Sequence, residues 1–343
     1  MTKITKFTQI SIILVAGIIA LIYGKSFLIP LIFSLILWIL IKKLKSTLNK
    51  IKVLREFVPN WVKNALLTFI IALVVYFVSG IISSNISTMV GQYDVYEANF
   101  NALLTTINES FGIDLKTLIG DEDISSTLSD LIEPIVSSLT SLVSNAFMII
   151  LYLLFIFLEE TNFGKKLRLV FKEDNEFKEV SSTLIELEES ISNYLGVKTL
   201  VSLITGALSA VTLSIIGVDA PVFWGLIIFI LNYIPTIGSL IGTLFPAAFC
   251  LLQFTNTTPF ILTVVIVGLI QVIVGNILEP KLVGNSMNLS ALVAILALSL
   301  WGLIWGTTGM ILSVPITVIM VIIFSKFKST KPVAIMLSDK GEI

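Results

Sequence analysis

The chain has no histidine and a single cysteine, Cys250, and only 13% of its 343 residues are charged. Without histidine there is no His-ligated metal, no Ser-His or Cys-His nucleophile pair and no imidazole proton relay. A lone cysteine inside an apolar run excludes an intrachain disulfide and leaves the redox compartment unread. What fills the space is apolar: 56% of residues are hydrophobic and the mean hydropathy is +1.00. A soluble domain of this length could not hide that much apolar surface, so the solvent for most of the chain is a bilayer. The net charge of −1 is uninformative; where the charges fall is not.

Uncharged runs at 64–82, 141–158, 199–217 and 259–278 each match the ~20 residues that one membrane-spanning helix needs. Two further apolar runs, Ile10 to Tyr23 and Phe27 to Ile41, flank Gly24-Lys25-Ser26 and predict an N-terminal hairpin rather than a cleaved leader, since no small-residue cleavage pattern follows. Between Lys42 and Lys63 lie seven basic residues against one acid, Glu56. Residues 84–140 carry nine acids and only Lys116, residues 159–198 return six Lys/Arg, and the tail holds Lys326, Lys328 and Lys331. The positive-inside rule places the basic segments and both termini in the cytoplasm and 84–140 outside. The predicted order is transmembrane helices over 1–83, an external helical insertion over 84–140, a span at 141–158, a cytoplasmic amphipathic segment at 159–198, a transmembrane core at 199–325 and a tail at 326–343.

Both polar insertions have helical periodicity. Ile86, Tyr93, Phe100 and Ile107 recur every seven residues, and Met89, Tyr96 and Leu103 follow three behind the first three. Such a stripe either folds against residues 124–143 or forms a seam between subunits of a homo-oligomer. Gly112 and Gly120-Asp121 punctuate the insertion, and Pro134 opens the next helix. In the second insertion Leu184, Leu187, Ile191 and Leu195 share a face opposite Glu186, Glu188 and Glu189, the pattern of an interfacial or partner-packed helix.

The most informative stretch is 221–253, which has no charge yet is interrupted at Asn232-Tyr233-Ile234-Pro235-Thr236-Ile237-Gly238. Pro235 removes a backbone donor and disfavours helical geometry at Ile234. A broken helix survives in hydrocarbon only where protein or a watery cavity shelters it, and transporters place substrate sites at such breaks. Asn232, Tyr233, Pro235, Thr236 and Gly238 are therefore candidates for a translocation site; a packed kink explains the same residues. A second interrupted segment, 289–325, is expected to break at Trp301-Gly302. Gln271, Asn276 and Pro280 form a second polar cluster, with helix–helix hydrogen bonding as the plainer role for Gln271. Glu279 and Lys281, two residues apart, mark a helix exit. Gly242, Gly302, Gly306, Gly309 and Pro315 read as helix-packing positions. The expected fold is an all-α polytopic membrane protein with about eight membrane helices or hairpin segments and extramembranous helical insertions.

These motifs in order resemble the autoinducer-2 exporter family, the AI-2E or PerM-like permeases. The carriers are Leu231-Asn232-Tyr233-Ile234-Pro235-Thr236-Ile237-Gly238, Gln271 with Gly275-Asn276-Ile277-Leu278-Glu279-Pro280 and Gly284, and Trp301-Gly302, Gly306, Gly309-Met310 and Pro315. The chain departs from the family in having Val272-Ile273-Val274 where an acid often follows the glutamine, and Asn288-Leu289-Ser290 where His-Pro is common. The resemblance implies permeation or export of a small polar solute, such as autoinducer-2, across the inner membrane. A sodium/proton antiporter and a non-transporting scaffold stay open as alternatives. The antiporter usually needs a carboxylate in mid-span, and Glu159, Glu160, Asp219 and Glu279 all fall at predicted helix ends. Intramembrane proteolysis lacks its residues: no histidine for a zinc or Ser-His site, and one isolated Asp219 where an aspartyl site needs two. The expected partners are a solute or ion and the lipid bilayer, with no cofactor, metal or nucleic acid.

Overall fold

The computed structural model describes residues 3–50, 58–111, 145–283 and 289–341, and among these every regular element is helical. In chain order they are α1 (Lys3–Tyr23), α2 (Lys25–Leu48), α3 (Asn60–Gly91), α4 (Tyr93–Phe111), α5 (Ala146–Val170), α6 (Asp174–Ile216), α7 (Pro221–Leu231), α8 (Ile237–Gln253), α9 (Thr258–Ile273), a π-helical turn (Val274–Leu278), α10 (Glu279–Val283), α11 (Ala291–Lys326) and α12 (Lys331–Leu337). Helices are what apolar runs must form in hydrocarbon, because each N–H and C=O needs a partner within its own segment. Among the described residues six stretches are long and apolar enough to cross a membrane: Lys25–Leu48, Trp61–Asn85, Ala146–Val170, Asp174–Ile216, Thr258–Leu282 and Ala291–Lys326. With the shorter apolar helices they make an all-α polytopic membrane fold. Residues 112–143, Gly284, Asn285 and Asn288 lie outside the described residues, as do the side chains of Ile86, Tyr93 and Ile107. The expectations for Gly112, Gly120-Asp121, Pro134 and a stripe packed on 124–143 fall there.

The helices group into two compact units, one drawn from 1–72, 144–195 and 285–343 and the other from 73–143 and 196–284. The divisions fall inside α3 and α6. The 43-residue α6 joins the expected cytoplasmic segment 159–198 and the span 199–217 without a break at 198. No proline interrupts it, and Lys198 is buried rather than splayed into water, so the change from charged to apolar composition changes the helix's surroundings and not its geometry.

In the first unit, Ile41, Leu67 and Leu153 form one core, and Ala297, Trp301, Trp305 and Leu312 form another against α1 and α2. Polar ties fix the register of α2, α5 and α6. Trp38 Nε1 donates to Glu160 Oε2 at 3.0 Å, and Lys42 lies over the Trp38 ring while pairing with Glu188 at 2.5 Å. Lys326 pairs with Glu186 at 2.6 Å. Exposed pairs of this kind contribute about 0–1 kcal/mol each, so they set alignment more than stability.

α11 is a hairpin. Gly306 adopts φ 62°, ψ −145°, a conformation that only glycine tolerates at low cost. Beyond it the chain folds back, so that the Gly309 Cα rests against the Trp301 carbonyl with no room for a side chain. The reversal brings α12 to the start of α11, where Ser290 N donates to Leu337 O at 3.1 Å. The expected break at Trp301-Gly302 is thus corrected to Gly306. Gly302 stays helical, and a Cβ there would meet Met310 Cε at 3.0 Å.

Candidate functional site

The second unit is built around a shorter hairpin, α7–α8. Ala220 in the left-handed conformation (φ 55°, ψ 47°) turns the chain, and Pro221 starts α7 with a preset φ. α7 has 11 residues, about 16 Å of helix, against a hydrocarbon thickness of about 30 Å. At that length α7 alone is too short to span, and the chain turns back after it so that α8 packs against α7. The return begins where Pro235 forbids continuation, and Thr236 takes φ 61°, ψ −53°, a strained conformation for a β-branched residue. Backbone outliers of this kind persist only when the surroundings enforce them, and they cluster at functional sites. Gly238 then presses against the Leu231 carbonyl, closing the tip. At the other end Asp219 N donates to Gln253 Oε1 at 2.7 Å and Gln253 Nε2 donates to the Gly217 carbonyl at 2.9 Å, which ties the two arms together.

Three other elements hold this hairpin. α6 approaches at backbone distance: a Cβ on Gly206 would lie 2.6 Å from the Gly225 carbonyl, and a Cβ on Gly225 would lie 2.7 Å from Ala210 Cβ. Between lipid-embedded helices there is little hydrophobic gain, so small residues that permit such contact supply the packing energy. At the tip, Asn232 Nδ2 donates to Ser202 Oγ at 3.1 Å, and the Tyr233 and Thr199 hydroxyls lie 2.7 Å apart. Asn232 is 7% exposed and Ser202 fully buried. α9 brings Gln271, also 7% exposed, alongside Gly242 and Ile228, one turn before Asn232. Its amide nitrogen finds no hydrogen-bond partner among the described residues, nor do Ser209 Oγ and Trp224 Nε1. A buried donor left this way costs about 1–3 kcal/mol.

α4 covers the hairpin base. Asn99 Nδ2 donates to the Leu252 and Gln253 carbonyls at 3.0 and 2.9 Å, and Tyr96 donates its hydroxyl to Asp219 Oδ2 at 2.9 Å. Burial, and then the Asp219 carboxylate beside it, push the Tyr96 phenol well above its ordinary range. Met89, Tyr96 and Phe100 pack into the core formed with Trp224, Phe249 and Leu213, so these three positions of the heptad stripe are occupied inside their own chain.

Of the residues singled out from sequence, Asn232, Tyr233, Pro235, Thr236, Gly238, Gly242 and Gln271 are brought together around the hairpin. Asn276 and Pro280 are exposed at the π-helical turn and its exit and do not enter the cluster. Gly302, Gly306, Gly309 and Pro315 lie in the other unit. Thr199, Ser202 and Lys198 were missed. Their signal was legible, since Lys198, Ser202, Thr205 and Ser209 follow helical spacing on one buried face of α6. Glu279, read as a helix exit, pairs with Lys198 at 2.6 Å. The cluster offers neutral amides and hydroxyls plus this one ion pair; among the described residues no group of acids or cysteine could hold a metal ion.

The chain matches the sequence profile described as AI-2E family transporter over residues 11–329. It is similar to a Haemophilus influenzae protein provisionally named a transport protein, with 28% identity over 95% of both chains. A Borreliella burgdorferi protein of the same provisional name is 29% identical over 74% of this chain and 70% of its own. The protein named AI-2 transport protein TqsA of Escherichia coli is 34% identical over 61% of this chain and 60% of its own.

Proposed function

The chain belongs to the AI-2E transporter family and is a multi-pass membrane permease, and we propose that the α7–α8 hairpin is where its solute binds. The observation that carries this reading is the unpartnered Gln271 amide, buried beside a helix break whose Asn232 is itself buried and hydrogen-bonded. A structural kink would satisfy these groups internally; a binding site leaves one for its ligand. The solute is small, polar and neutral, because amides and hydroxyls recognise uncharged oxygen-bearing molecules. Autoinducer-2 is the first to test, since one relative is named for its transport.

In this reading Asn232, Tyr233, Thr236 and Gln271 contact the solute. Pro235 and Gly238 shape the break, and Asn276 and Pro280 line the approach. The chemistry is translocation and needs no catalytic step. The Lys/Arg distribution supports an inner-membrane location with both termini cytoplasmic. Assembly as a homo-oligomer is part of the proposal too, through surfaces other than the Met89-Tyr96-Phe100 stripe. The test is flux of labelled autoinducer-2 from liposomes holding the purified protein, with other small polar solutes and ions in parallel. Gln271→Leu is expected to lower that flux about five- to thirtyfold, the equivalent of about 1–2 kcal/mol. Unchanged flux in this variant refutes the site; absence of flux for every solute refutes solute transport.

A further inference from the structure

Two buried donors of the second unit play no part in the site proposed above. Trp224 on α7 and Ser209 on α6 are both shut away from water, and neither the indole Nε1 nor the serine Oγ has a hydrogen-bond partner among the described residues. A hydroxyl on a membrane helix has a ready acceptor in the carbonyl four residues back. The neighbours of Ser209 on α6 use it: Thr205 donates to Val201 O at 2.9 Å, Thr212 to Leu208 O at 2.9 Å and Ser214 to Ala210 O at 2.8 Å. Ser209 does not. Trp224 has no such recourse, since its nitrogen only donates and its ring is packed against Phe223 and Phe249, with centroids 5.4 and 5.3 Å away. The two residues lie at one level of the unit. Each directly precedes a residue of the α6–α7 contact, in which a Cβ on Gly225 would lie 2.7 Å from Ala210 Cβ. Trp224 is eight residues before Asn232, about 12 Å of helix from the hairpin tip. Ser209 follows Ser202 on the same buried face of α6. Between the two levels Gly206 is pressed against the Gly225 carbonyl, so tip and lower level are not ends of one pocket.

We propose that Ser209 and Trp224 form a second position for the solute, toward the base of the α7–α8 hairpin, an assignment that rests on the transport reading above. A buried donor without a partner is costly, and natural chains keep few of them. Two at one level, on facing helices, are the unfilled half of a set of hydrogen bonds whose other half a ligand brings. An indole N–H and a serine hydroxyl ask for acceptors, so this position takes carbonyl or hydroxyl oxygens. It does not take a metal cation, which would meet the positive end of the N–H dipole. Leu213 and Phe249 in the same core are apolar, which suits a compact carbon skeleton carrying those oxygens. A solute that reaches across one helical turn, about 5 Å, cannot touch Asn232 and Trp224 together. The tip and the lower level therefore hold separate molecules, or one molecule in turn.

The experiment uses the full-length purified protein with labelled autoinducer-2 as the probe, and reads equilibrium binding, thermal unfolding without solute, and flux in liposomes. Trp224→Phe keeps a ring and deletes the N–H; Ser209→Ala deletes the hydroxyl. Removing an unpartnered donor relieves the empty protein, so each single variant is expected to unfold at or above the wild-type temperature. At saturation the wild type is expected to bind about two molecules per chain, and Trp224→Phe/Ser209→Ala about one. Asn232→Leu, which strips the tip and spares the lower level, is expected to bind about one as well. In each single variant the lower position should weaken about five- to thirtyfold. A lowered unfolding temperature in the solute-free single variants marks donors already satisfied at rest, by an ordered water for instance, and overturns the assignment. So does a wild-type stoichiometry of about one, or of about two that the double variant keeps; flux that Gln271→Leu still lowers then leaves the transport reading standing. Absence of wild-type binding overturns the assignment, and absence of flux with it refutes transport of autoinducer-2 itself.

Discussion

Replacing Asn232 by Leu keeps the side-chain volume and deletes the amide, and the consequence depends on what that amide touches. In the protein at rest it donates to Ser202 Oγ, and both side chains are shut away from water. The substitution would leave the Ser202 oxygen without its donor. A neutral hydrogen bond contributes about 1 kcal/mol, and an orphaned buried group costs about 1–3 kcal/mol, so the single variant should lose about 1–2 kcal/mol of stability. Ser202→Ala in the same chain removes the orphan, and the double variant should recover most of the loss, with a coupling energy of about 1 kcal/mol. Unfolding of the detergent-solubilised protein, followed by tryptophan fluorescence, reads this part. Flux reads the other. If Asn232 serves only to tie the hairpin to α6, flux in the double variant recovers along with stability. If it holds the solute, stability recovers and flux stays about five- to thirtyfold down. Recovery of both would refute the role of Asn232 in binding, as would normal flux in Asn232→Leu alone.

Two further outcomes follow from the same geometry. The Tyr96 phenol is raised in the folded protein by burial and by Asp219, so its contribution is complete below its unfolded value near 10 and is lost as pH climbs toward the higher folded value. Thermal unfolding should hold steady to about pH 10 and weaken above it, and Tyr96→Phe, slightly less stable at neutral pH, should lack that component; an identical alkaline decline in both proteins would sink the assignment. In a Cys250→Ala background, single cysteines at Ala98 and Asn175, both exposed, should react with an impermeant thiol reagent from outside and inside respectively. The reverse pattern would overturn the proposed orientation.

How much could be read from the sequence alone depended on how local each cause is. Spans were legible because a run of apolar residues dictates a helix wherever hydrocarbon is the solvent. Pro235 was legible because proline forbids: it lacks a donor in any context. The break in α11 was placed four residues early because glycine only permits. Gly302, Gly306 and Gly309 all allow a reversal, and what selects Gly306 is that Gly309 and Met310 must then face Trp301 and Gly302 across the turn. The boundary expected at Lys198 falls inside one unbroken helix. Lys198 looked like a boundary because a charge beside an apolar run usually meets water, whereas here a carboxylate takes the water's place.

That carboxylate, Glu279, lies 81 residues from Lys198 along the chain, and no periodicity in either segment announces the other. Yet half of the relation was visible. Lys198 is in phase with Ser202, Thr205 and Ser209, so the lysine belonged to the buried stripe before any partner was known. A buried ammonium must find an acid, and the second unit offers few within its described membrane core: Asp219 at the hairpin base, occupied by Tyr96, and Glu279. A carboxylate in mid-span was the feature expected of proton coupling, and its absence counted against it. Glu279 does not meet that expectation: it lies at a helix end, where the neighbouring helix brings the Lys198 ammonium to pair with it.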